Sequence, residues 1–380
     1  MTFTIFSKSP FFLSLTWMLT VFMSIGLSAC ELIGSGNDGE ISRSGTVLIA
    51  NGGNFGDQNG TITSFDQQTG VVDQHTPMSG FLQGLVANDG KIYALLNTFS
   101  IGRVDVLEAE TLSPIDQIAD VTAPRFMVFG SDLAYVSNFV FGSNGHVSVI
   151  SLSTNAVQNT IPVGENPEGL LLDGAFLFVA NNGSLGDGNT VTVIDTKTDN
   201  TVNRTVPCDG PRDILGGGND GIIIICSGKT VYNADFSEVL ERTHGAILFF
   251  DSSMDMLEDQ INLNFQPLST NGTAAGIFVA SKNELYVIDG DANTITRINT
   301  ESRAVTSQVQ LSTAGGLTGI SGIAYDEREN IIYVGRFPVS SGGPFPDFTT
   351  SGTIQIYSRT FELTESFLAG VAISQILIKN

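Results

Sequence analysis

Three cysteines, three histidines and one tryptophan are all that the 380 residues contain, and 17 basic residues face 39 acidic ones. Each shortage excludes something. No cysteine stands in a CxxCH arrangement, which removes c-type haem attachment. His75, His146 and His244 have no metal-ligand spacing, and neither HExxH nor a glycine-rich phosphate loop occurs. A formal net charge of -22 repels phosphate backbones and argues against nucleic-acid binding. It favours solubility, and it is compatible with cations or a salty habitat. Long apolar runs are also missing, with one exception. Only Phe11 to Leu27 is long enough to span a bilayer.

That run lies in residues 1–29, whose single charge is Lys8, and it leads to "LSAC" at Leu27–Cys30. A cation, a hydrophobic stretch and small residues before a cleavage point form a secretory signal. With the cysteine in that place, the segment resembles a bacterial lipoprotein signal, which implies lipidation at Cys30. A transmembrane anchor and an ordinary signal cut elsewhere are the alternatives. On this reading residues 1–29 are the signal, residues 30–43, rich in Gly, Ser and acids, are a flexible tether, and residues 44–380 are the folded body. The protein is then exported and held at the cell envelope, at an outer membrane or cell surface. More than one acyl chain is needed for stable anchoring.

The body repeats itself. "LAYVSNFVFGSNGHVSVISLSTNAVQNTIPVGENPEGL" and "FLFVANNGSLGDGNTVTVIDTKTDNTVNRTVPCDGPRDIL" both run apolar strand, Asn/Gly-rich loop, alternating strand, polar turn, third strand and Pro-containing link. The first strand of each unit starts near residues 46, 91, 133, 175, 221, 284 and 331. These spacings sit near the roughly 40–50 residues of a four-stranded propeller blade, with one long step that holds an insertion. The expected fold is therefore all-β, a seven-bladed β-propeller. With strands lettered A to D from the axis outward, seven B strands and seven C strands can be read. Only six A strands precede their B strands: "LQGLVAN", "PRFMVFG", "PEGLLLD", "PRDILGG", "AAGIFVA" and "ISGIAYD". The seventh is supplied by "VAISQILI" near the C-terminus. It follows the last D strand, near "FELTESFL", and is expected to join blade 1 and close the ring, leaving no open sheet edge.

"YVSN" at Tyr135–Asn138 and "FVAN" at Phe178–Asn181, each followed by a Gly-rich loop and "VSVIS" or "VTVID", resemble the YVTN-type β-propeller repeats of bacterial and archaeal surface proteins. The resemblance covers nearly all of residues 45–380, and it is strongest in blades 3 and 4. It implies a cell-surface or surface-layer module, with relatives of similar fold among lactonases and redox-enzyme domains. None of the lactonase functional residues can be matched here, and the motif identifies a scaffold rather than a reaction.

Antiparallel geometry puts the B–C and D–A connections on one face, and the long connections are B–C loops. Blades 1 and 4 share Asn51/Asn181, Gly56/Gly186, Asp57/Asp187 and Asn59/Asn189, oxygen-rich sets of the kind Ca²⁺ takes. The same residues are what tight turns require. Blade 6 carries Asp289, Asp291 and Asn293 at calcium-loop spacing, but Thr294 and Thr300 stand where Gly and Glu belong. Asp57, Asp187, Asp289 and Asp291 are thus weak calcium candidates, with turn formation the competing role. In blade 5, Asp235 and Glu238 fit a capping box and Gly245 a helix stop, so a short helix is expected there. Blade 7 inserts "RFPVSSGGPFPDFTTSG", where Phe337, Phe345 and Phe348 are candidate partner anchors or packing residues. Cys208 and Cys226 fall near the same face, where an exported compartment permits a disulfide; two buried thiols are the alternative. No nucleophile elbow or paired-carboxylate site stands out.

The combined expectation is a non-catalytic, lipid-anchored propeller that binds an envelope protein or glycan through its long-loop face. Two other readings remain: a lactonase-like hydrolase with carboxylates and Ca²⁺ at the central channel, and a structural surface-layer subunit.

Overall fold

The computed structural model describes residues 45–379 except 75–77, 99–100, 141, 185, 218–220, 236 and 271–272. The signal and the whole tether, Cys30 included, lie outside the described residues, as does His75. Seven four-stranded antiparallel sheets are present, together with one two-stranded hairpin. The sheets are the blades. Blades 2, 3, 4, 6 and 7 are meanders within residues 81–121, 124–165, 167–205, 276–310 and 317–371, and blade 5 spans 211–262 with the hairpin inserted. Blade 1 is composite. Its B, C and D strands are Thr46–Asn51, Thr61–Asp66 and Val72–Gln74, and its A strand is Ile373–Lys379. The closure expected from the C-terminal sequence is therefore present. Thr46 pairs with Lys379 and Asn51 with Ile373.

The burial pattern follows from each blade being sandwiched between two others. B strands are covered on both faces, so Ile222–Cys226 reads IIIIC and every residue is buried. D strands form the outer rim, so Asn200–Thr205 is almost wholly exposed. Alternation decides which neighbour each side chain meets. Ile222, Ile224 and Cys226 join the core shared with blade 4, whereas Ile223 and Ile225 join the core shared with blade 6. Each of the seven interfaces between adjacent blades carries one such apolar cluster. At the closing interface, Ile373 and Ile376 of the returning strand pack with Val47, Phe65, Tyr333 and Ile354. Ala372 takes a left-handed φ of 54° where the chain turns from blade 7 into blade 1, and its carbonyl accepts the Gly52 N–H at 2.7 Å.

One expectation fails. The blade 5 insertion is a β-hairpin, Thr230–Tyr232 paired with Val239–Arg242, and not a helix. Asn233 Oδ1 accepts the N–H groups of Ser237 and Glu238, and Asp235 Oδ1 accepts the Ser237 hydroxyl. Asp235, read as part of a helix cap, instead holds a turn together with Asn233, because Asn and Asp satisfy backbone donors equally well in either setting.

Candidate functional site

The Asn that ends the B strand in the repeat has a structural task. Asn181 Nδ2 donates to Thr190 Oγ1 and Thr192 Oγ1 at 3.0 and 2.9 Å, while its Oδ1 accepts the Gly164 N–H of blade 3 at 3.0 Å. Asn51 does the same across the closing interface. It donates to Thr63 Oγ1 at 3.0 Å and accepts the Gly370 N–H of blade 7 at 2.9 Å. Each Asn thus pins its own B–C pair to the preceding blade. Glycine is needed opposite, since a Cβ at Gly164 would lie 2.5 Å from Asn181 Cγ and one at Gly370 2.6 Å from Asn51 Cγ. Asn51 and Asn181 are therefore engaged in the scaffold.

Of the calcium candidates, Asp289 and Asp291 share one turn of blade 6, while Asp57 and Asp187 lie on blades 1 and 4. Asp57, Asp187 and Asp291 are exposed on blades 1, 4 and 6. Asp289 Oδ1 accepts the Ala292 N–H at 3.0 Å within its own turn, and burial raises its pKa. Among the described residues no three His, Cys, Asp or Glu side chains group as metal ligands. His146 lies in the C strand Asn144–Ser151 of blade 3, where burial lowers its pKa, and His244 follows the blade 5 hairpin, two blades away.

The B–C face carries the insertions. The blade 5 hairpin is anchored at its base: Lys229 Nζ lies 2.9 Å from Glu241, the Thr243 N–H donates to the Lys229 carbonyl at 3.0 Å, and Thr243 Oγ1 donates to Asp209 at 2.9 Å. Hydrogen bonding to Glu241 and the nearby Asp209 raise the Lys229 pKa. Beside that base, a disulfide joins Cys208 of the D–A link to Cys226 at the end of the B strand, with Cα atoms 6.2 Å apart. Outward, the hairpin shows Leu240, 62% exposed, with Val239 and Tyr232.

In blade 7, Phe337 belongs to the strand Ile331–Pro338 and is fully buried, so it is packing rather than part of an exposed set. Phe348 leans on it with ring centroids 4.9 Å apart. The loop is folded back on itself. The Val339 N–H donates to the Gly316 carbonyl and the Asp347 N–H to the Pro338 carbonyl, both at 2.8 Å. The Asp347 carboxylate accepts from the Thr349 backbone and the Thr349 and Thr350 hydroxyls, which hold its pKa below the usual carboxylate range. Phe345 is left at the tip, 71% exposed. On the same face Phe55 of the blade 1 loop is also exposed, 6.1 Å from the Phe81 ring.

The second feature is the axial channel, which the sequence reading named as a possible site without singling out any of the residues that line it. All seven A strands start at the B–C face, and four of them carry Gln83, Arg125, Glu168 or Arg212 within their first three residues. Arg125 of blade 3 donates Nε and Nη2 to the Glu168 carboxylate of blade 4 at 2.9–3.2 Å, and Nη1 to Gln83 Oε1 of blade 2 at 2.9 Å. Arg212 of blade 5 donates to the Thr273 carbonyl at 2.9 and 3.1 Å. Asp213 Oδ2 accepts the Ala275 N–H at 2.7 Å, and its buried Oδ1 finds no hydrogen-bond partner. Burial, offset in part by Arg212, raises the Asp213 pKa to about 6. The signal was present as charges, Arg125, Glu168 and Arg212 at the equivalent second position of three A strands, with Asp213 beside the last. Below these groups lies a cavity of about 240 Å³. A larger groove of about 680 Å³ runs along the outer strands of blades 1 and 2, but its Arg103 and Asp105 satisfy each other.

These features define a seven-bladed β-propeller with an elaborated loop face and a polar axial network. No protein-family model matches the sequence, and no curated protein matches it. Solved structures do share the fold. A quinonprotein alcohol dehydrogenase-like protein from Bacteroides thetaiotaomicron is similar over 89% of this chain and 78% of its own, at 14% identity and a TM-score of 0.63. A functionally unknown protein from Desulfotomaculum acetoxidans matches over 88% and 99%, at 11% identity and 0.61. A candidate 6-phosphogluconolactonase from Bacteroides fragilis matches over 90% and 100%, at 12% identity and 0.60. At such identities the likeness establishes the fold alone.

Proposed function

We propose that this is an exported binding propeller, lipid-anchored through Cys30, that recognises an envelope protein or glycan with its B–C loop face. The observation that carries the reading is Phe345, 71% exposed at the tip of a loop pinned by backbone hydrogen bonds on both sides. An aromatic side chain on a preorganised loop gives apolar contact area at little ordering cost, which is how interface anchors work. Leu240 and Phe55 extend the apolar surface on the same face.

The test is affinity capture of the native protein after mild cross-linking, with Phe345→Ser and Leu240→Ser compared with wild type. One stoichiometric partner, reduced about tenfold or more by Phe345→Ser as expected for an interface anchor, supports the reading. Equal recovery by wild type and both variants overturns it.

A further inference from the structure

The cavity on the propeller axis is built with unused hydrogen-bond donors. Gln83 of blade 2 and Gln375 of blade 1 both line it, on adjacent A strands. Each amide has its carbonyl oxygen fixed from the protein side. Gln83 Oε1 accepts Arg125 Nη1 at 2.9 Å and Asn97 Nδ2 at 3.3 Å. Gln375 Oε1 accepts the Leu85 N–H at 2.6 Å. Because all three partners are donors, neither amide can be turned over without setting donor against donor. Both NH₂ groups are therefore committed to the other side, where neither Nε2 has an acceptor among the described residues. Gln83 is only 5% exposed, and its amide nitrogen, turned to the cavity, is placed to donate to a ligand acceptor there.

The rest of the wall narrows the ligand. Leu85, Met127, Ile277, Ile323 and Ile376 follow the polar residues along their strands and give the cavity an apolar body. The Arg125 charge is met by Glu168 at 2.9 Å, and the chain as a whole carries -22, so the site offers no net attraction to an anion. A cation or a donor-rich ligand would face two NH₂ groups.

We propose that the axial cavity binds a small neutral carbonyl compound, its acceptor oxygens on the Gln83 and Gln375 amides and its apolar part against the Leu85, Met127 and Ile323 side chains. This site is separate from the loop face, and either assignment can fail without the other.

The test uses three probes of similar size: phthalimide (neutral, two carbonyls), phthalate (dianion) and benzamidine (cationic donor). Binding to the full chain is followed by ligand-observed saturation-transfer NMR. Gln83→Glu and Gln375→Glu keep the accepting oxygen in place and replace the inward donor with an acceptor. Phthalimide is expected to bind the wild type in preference to the other two, and to weaken about tenfold or more in each variant, since the donor becomes a buried acceptor facing the ligand oxygen. Thermal unfolding checks that the variants fold. If they do not, the wild-type ranking decides alone. Phthalimide binding unchanged in folded variants, benzamidine or phthalate binding best to the wild type, or no binding of phthalimide, each overturns the assignment.

Discussion

Replacing Ile373 with alanine isolates the closure of the ring. Ile373 is fully buried, and its side chain occupies space that only glycine leaves open: a Cβ at Gly352 would meet Ile373 Cδ1 at 2.7 Å, and one at Gly335 would meet Cγ2 at 3.0 Å. Truncating such a residue costs about 2–5 kcal/mol from lost transfer free energy and the cavity left behind. In a domain of this size about 1 kcal/mol moves Tm by roughly 2 °C, so the midpoint should fall by roughly 4–10 °C. Leu368, five residues earlier in the D strand of blade 7, is 65% exposed and serves as the matched control. Leu368→Ala should stay within about 0.5 kcal/mol of wild type. Deleting residues 373–380 goes further, since it removes the whole A strand of blade 1 and opens an edge along Thr46–Asn51. The assay is calorimetric or far-UV circular dichroism unfolding of the three variants beside wild type. Equal, small shifts for Ile373→Ala and Leu368→Ala, with a truncated chain that melts like the full one, would refute the clasp.

Removing the Cys208–Cys226 cross-link by double alanine substitution should cost about 3 kcal/mol, the loop-closure value for a separation near 18 residues; urea titration measures it, and unchanged stability contradicts it. Asp213 holds its proton more tightly folded, at about 6, than at its ordinary 3.8. Its contribution is therefore fully present below pH 3.8 and lost as pH rises through about 6, on the order of 3 kcal/mol in all. Asp213→Asn should raise stability at pH 7 and flatten the profile between those limits; a variant destabilised at pH 7 with the slope intact contradicts this. Cys30→Ser should move the protein from the membrane to the soluble fraction, read by fractionation and blotting, whereas unchanged membrane association contradicts lipidation at that residue.

What the sequence disclosed depended on whether the signal was local. Continuous apolar B strands such as IIIIC and LAYVS are written in consecutive residues, because both faces of every blade are buried. The clasp was legible for a related reason, since "VAISQILI" is too apolar to stand alone and blade 1 lacked an inner strand. The blade 5 hairpin was misread because Asp235 and Glu238 fit a helix cap as well as they fit the Asn233 turn, and local chemistry does not distinguish the two. Phe337 was grouped with Phe345 and Phe348 by proximity in sequence, although its pairing with Thr318 carries it into the sheet. The axial groups were hidden most deeply. Gln83, Arg125 and Glu168 come from three successive blades and meet only at the axis, and Arg212 of the next blade reaches Thr273 instead. Three of them follow Pro124, Pro167 and Pro211, where a sequence reads as a link.

The loop-face reading is tested most directly by installing the photo-cross-linker p-benzoylphenylalanine in place of Phe345 on the B–C face, or of Lys282 in the exposed turn between the A and B strands of blade 6. Irradiation in the native envelope should give one discrete adduct from position 345 and none from position 282. No adduct from 345, or the same adducts from both positions, would contradict binding through the B–C loops.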